Sequence, residues 1–80
     1  MDREDIAGIV YKTIAKILPV PPGEISGEKH IRDLGADSVD RVEIILSLID
    51  QLKIHEPLAS FAEIKNINGL VELLYERKRL

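Results

Sequence analysis

Ser38 stands in Asp33-Leu34-Gly35-Ala36-Asp37-Ser38, where an irregular stretch meets a strongly amphipathic segment. A serine there presents its hydroxyl at a helix N-terminus, in solvent, with Asp37 and Asp40 on either side. That is a poor setting for a nucleophile. No G-x-S-x-G turn is present, and nothing places His30 or His55 beside Ser38 as a base. It is a good setting for a hydroxyl that another enzyme modifies. The chain has no cysteine, so any thioester chemistry needs a thiol supplied from outside. Two rival readings follow from the same residues. In one, Ser38 merely begins the helix of an unmodified interaction module; in the other it serves a small hydrolase, which would turn over activated esters unaided.

Other chemistry finds little support. The two histidines are isolated and lack metal-ligand spacing. The stretch from Asp33 to Ile44 has the length of a calcium loop, but Gly35 and Ile44 occupy its third and twelfth positions, where oxygen ligands belong. No metal site is expected. Eleven basic against fourteen acidic residues give a formal net charge of -3, whereas a nucleic-acid module needs a basic excess on one face. The one dense basic run, Arg77-Lys78-Arg79, reads as complement to a helix C-terminus and as solubilising charge. Asp2, Arg3, Glu4 and Asp5 leave no apolar signal segment, and no apolar run approaches the roughly 18 residues a membrane span needs. The expected location is the cytoplasm. Eighty residues make a single domain, 1–80, with a modest core and little room for a deep pocket.

The elements that must position Ser38 read as helices. Ile6, Ile9, Val10, Thr13, Ile14, Ile17 and Leu18 recur at three- and four-residue spacing, which predicts a first helix over about 3–18, stopped by Pro19, Pro21, Pro22 and Gly23. An 18-residue connection, 19–36, follows; Ile25, Ile31 and Leu34 are its candidate pins, and Gly35 suits a left-handed turn. A second helix is predicted over about 38–53, with Asp37 as N-cap and Asp40 completing a weak form of the capping box. Its core side is expected to be Val39, Val42, Ile45, Leu46, Ile49 and Leu52, opposite Asp40, Glu43, Ser47, Asp50 and Gln51. Ile44 then projects from the polar face. A short helix of about two turns over 58–64 is expected to pack through Leu58, Phe61 and Ile64, and Asn66 to cap a final helix with the stripe Ile67, Leu70, Val71, Leu74 and Tyr75. The predicted fold is all-α: a small bundle of three main helices plus one short helix, with a long loop between the first two.

The D-x-G-x-D-S run from Asp33 to Ser38, set before an acidic helix in an all-α chain of this length, resembles the signature of acyl carrier proteins. The resemblance covers essentially the whole chain. Peptidyl carriers usually show Gly or His where this chain has Ala36 and Asp37, which favours the acyl class. The resemblance implies a non-catalytic carrier. A phosphopantetheinyl transferase moves 4′-phosphopantetheine from coenzyme A to Ser38, using magnesium. Acyl groups then ride as thioesters between acyltransferase, ketosynthase or related enzymes. It also implies a partner face on the second helix, comprising Asp37, Val39, Asp40, Arg41, Glu43 and Ile44, with Ile44 as apolar centre of a charged rim. From Asp33 to Asp50 five acids face one base, Arg41, a local balance of -4. Carriers of this family often have an uncharged residue in place of Arg41, whose sharper reading is that it narrows the set of partners. A chain that starts at Met1 and ends soon after its last helix is expected to be a discrete carrier, and its limited exposed apolar stripe makes a monomer the default expectation. Its mild net charge and basic tail point to polyketide or other specialised biosynthesis rather than housekeeping fatty-acid synthesis. The run Asp37-Ser38-Val39-Asp40-Arg41-Val42-Glu43-Ile44 also resembles carriers that deliver a small acyl unit for β-branching.

Overall fold

A computed structural model describes residues 1–79. Helix α1 runs Arg3–Ile17, α2 Ser38–Leu52 and α3 Ile67–Arg79, joined through single 3-10 turns at Pro22–Glu24, Ile31–Leu34 and Leu58–Phe61. The described residues form no strand. Each helix starts where a polar side chain satisfies first-turn N–H groups that have no partner within the helix. Asp2 and Asp5 form a reciprocal capping box at α1, and Asp37 and Asp40 form another at α2. At α3 the Asn66 Oδ1 accepts from the Gly69 N–H at 2.8 Å.

Helix α1 is the central strut, packing against both α2 and α3. Ile6, Val10 and Ile14 meet Ile44, Leu48 and Leu52 of α2, and Ile67, Leu70, Val71 and Leu74 of α3, in one buried cluster closed by Phe61. The long loop belongs to that cluster through the three residues expected to pin it: Ile25, Ile31 and Leu34 are buried. Its backbone docks as well. The Asn68 N–H donates to the Gly27 carbonyl at 2.9 Å and the Ile67 N–H to the Lys29 carbonyl at 2.8 Å, so the loop supplies acceptors that α3 lacks. A Cβ on Gly27 would lie 1.9 Å from the oxygen of the exposed Asn68 side chain, so a larger residue there would displace that side chain. Gly35 takes the expected left-handed conformation, with φ +93°, just ahead of α2.

Two expectations need correction. The short helix over 58–64 is only the 3-10 turn Leu58–Phe61, in which Phe61 is buried and Leu58 exposed. Between Pro57 and the Asn66 cap the chain is too short to propagate a helix past its costly first turn. The second correction concerns Ile44, which is fully buried, while Val39, Val42 and Leu46 are exposed. The buried face of α2 is Ile44, Ile45, Leu48 and Leu52. Gln51 and Ser47, which look like solvated neighbours of Ile44, instead close the α1–α2 seam over it. The Gln51 amide donates to Thr13 Oγ1 at 2.9 Å and to Ser47 Oγ at 3.1 Å.

The basic run is structural rather than free. Arg77 pairs with the largely buried Glu56 at 2.6 Å, and Lys78 Nζ donates to the Leu52 carbonyl at the end of α2 at 2.9 Å. Arg79 lies 5.5 Å from the centre of the Tyr75 ring. At the other end of α3, Glu72 pairs with Arg3 of α1.

Candidate functional site around Ser38

Ser38 is the first residue of α2, exposed, immediately after the Asp37 N-cap. The carboxylates beside it are committed to the backbone. Asp37 Oδ1 accepts from the Asp40 N–H at 2.9 Å and Asp40 Oδ2 from the Asp37 N–H at 3.4 Å. The Arg41 N–H donates to the Asp37 carbonyl at 3.0 Å, closing the first turn. Among the described residues the Ser38 hydroxyl makes no hydrogen bond, and the N–H groups of Ser38 and Val39 find no protein acceptor. An exposed hydroxyl over two unpaired N–H groups at a helix start suits an esterified phosphate.

Two depressions flank Ser38. On one side Val39, Val42, Glu43 and Leu46 form an open apolar surface. On the other, Arg41, Val42, Ile45, Leu58, Phe61 and Ala62 line a groove of about 210 Å³ toward the 3-10 turn before α3. Among the described residues neither depression is lined by a histidine. His30 is otherwise engaged: its Nδ1 accepts from the Arg32 N–H at 3.0 Å and caps the 3-10 turn Ile31–Leu34. Burial, with Arg32 and then Arg41 nearby, holds its pKa below the ordinary 6.5, against an opposing pull from Asp33. His55 is exposed. The described residues bring together no group of three or more His, Asp or Glu able to hold a metal ion.

The expected partner residues separate in space. Asp37, Val39 and Glu43 are exposed, Asp40 and Arg41 half-buried, and Ile44 is inside. Glu43 also lines a groove with Lys12 and Lys16 of α1, so the acidic face is bordered by bases. Val42 and Leu46 were missed as surface residues. The available signal was the excess of apolar residues on α2, eight in its fifteen positions, more than one packed face can cover.

The model of the family described as "Phosphopantetheine attachment site" matches residues 9–74. The polyketide biosynthesis acyl-carrier-protein AcpK of Bacillus subtilis (strain 168) is 36% identical over 78 residues, covering 96% of this chain and 95% of that protein. Methylphloroacetophenone synthase of Cladonia uncialis is 32% identical over 72 residues, covering 90% of this chain but only 3% of that much longer protein. No solved structure matches the chain significantly. The family match over most of the chain and the near full-length relative together define the class. The chain belongs to the acyl carrier proteins, non-catalytic bearers of 4′-phosphopantetheine. The arm supplies the thiol that this cysteine-free chain lacks. Such a carrier meets a phosphopantetheinyl transferase and acyl-handling enzymes. No helix among the described residues is long and apolar enough to cross a membrane.

Proposed function

We propose that Ser38 is the attachment residue and that the chain is a discrete, monomeric, cytoplasmic carrier, one domain over 1–80, serving polyketide or related specialised biosynthesis. Near full-length similarity to a polyketide-pathway carrier supports both the pathway and the free-standing form. The observation that carries the site is the Ser38 hydroxyl, exposed and unbonded at the start of α2 within the Asp33–Ser38 signature. Family membership gives this serine a purpose that the interaction-module reading lacks.

The partner face is Asp37, Val39, Asp40, Arg41 and Glu43, with Val42 and Leu46 taking the place of the buried Ile44. Val39, Val42 and Leu46 are 72%, 42% and 50% exposed and contiguous with Ser38, so an enzyme that receives the arm there also covers apolar surface. The surrounding carboxylates raise encounter rate and selectivity toward basic partner surfaces. Ketosynthases and acyltransferases are the partner classes.

Intact mass after incubation with coenzyme A, magnesium and a broad-specificity phosphopantetheinyl transferase tests the assignment. The expected result is a gain of one phosphopantetheine that disappears in Ser38→Ala. A gain that persists in the variant, or no gain with a transferase active on another carrier, refutes it.

A further inference from the structure

Arg41 has no established task. It is the single base between Asp33 and Asp50, and three residues after Ser38 it lies on the same side of α2, within reach across one turn. Among the described residues its guanidinium takes part in no ion pair and no side-chain hydrogen bond, a state it shares with Arg32, whereas Arg3, Arg77 and Arg79 have carboxylate partners. Of the two unpaired arginines only Arg41 lines a groove with Ser38. Arg41 and Ser38 line the same groove, with Ile45 and Phe61 among its other walls. Its positive field extends to His30, where it adds to the effect of burial and Arg32.

We propose that Arg41 anchors the phosphodiester on Ser38 and so lays the arm along the groove walled by Ile45, Leu58 and Phe61. The proposal rests on Ser38 being the attachment residue. A phosphodiester carries one negative charge on two non-bridging oxygens, which matches the two-pronged donor geometry of a guanidinium. Asp37 and Asp40 repel it less than their number suggests, because each points a carboxylate oxygen at a backbone N–H of the capping box. The next cavity inward is lined by Arg41, His30, Ile31, Ile45, Phe61 and Leu70 among others. It holds about 20 Å³, room for roughly one water, against about 210 Å³ in the groove beside Ser38, which makes the groove the path the arm takes. The side formed by Val39, Glu43 and Leu46 remains uncovered for partners.

Two-dimensional amide and guanidinium NMR spectra of the apo and holo forms test this, for wild type and for Arg41→Gln, with loading verified by intact mass. In wild type, attaching the arm is expected to shift the Arg41 Nε–H signal and the amides of Leu58, Phe61 and Ala62. In Arg41→Gln the shifts at 58–62 disappear while those at Ser38 and Val39 persist. Raising the salt concentration weakens the wild-type shifts at 58–62, as a partly exposed ion pair requires. Shifts confined to residues 37–40 in both proteins, or falling on Glu43 and Leu46 instead, overturn the anchor and leave the attachment reading intact. No mass gain overturns the attachment reading, and the anchor with it.

Discussion

Position 44 divides two accounts of α2. An exposed Ile44 would lose little on truncation, but this side chain is fully buried against α1 and α3. Ile44→Ala is expected to cost about 2–5 kcal/mol in urea unfolding, the range for emptying a packed core site. Leu46→Ala, on the exposed stripe, should move stability by no more than about 0.5 kcal/mol. It should nonetheless slow loading by the transferase. The reverse ranking in the two unfolding curves would restore Ile44 as the surface contact. Residue periodicity alone does not decide between the two faces, because α2 is apolar around much of its circumference. Packing of Ile44 and Leu48 into the cluster built on α1 sets which arc turns inward, and those contacts lie outside any pattern local to α2.

Helix bounds were legible to within a residue or so. The predicted 3–18 and 38–53 became Arg3–Ile17 and Ser38–Leu52, because prolines and acidic caps punctuate the chain where apolar periodicity stops. The 58–64 segment was not legible, since it carries too few apolar residues to distinguish one turn from two. The end of α2 shows a cost that no pattern revealed. Lys53 has φ +54° and closes a Schellman arrangement, with the Ile54 N–H donating to the Ile49 carbonyl and its own N–H to the Asp50 carbonyl. A left-handed lysine is strained, so Lys53→Gly is expected to stabilise the chain by about 0.5–1 kcal/mol once the entropy of glycine in the unfolded chain is subtracted. Gly35→Ala, at φ +93°, should destabilise it by about 1 kcal/mol or more. Paired urea midpoints check both signs, and a stabilising Gly35→Ala would refute the turn geometry.

The molecule as a whole couples to pH through the loop that leads to Ser38. His30 titrates below 6.5 when folded, so between those two values the unfolded chain holds a proton that the folded chain does not. This contribution to stability is complete above pH 6.5 and is lost as pH falls through the folded value. Protonation also removes the lone pair with which Nδ1 accepts the Arg32 N–H. Urea midpoints should therefore decline on acidification below 6.5. His30→Gln should flatten that decline; an unchanged slope in the variant would assign it elsewhere.

The carbonyls of Gly27 and Lys29 wait for donors on α3. During synthesis, α1, the loop and α2 are all made before Ile67 and Asn68 exist, so the loop cannot complete these bonds in chain order. The segment leading to the signature serine reaches its final shape only when the last helix arrives to lock it.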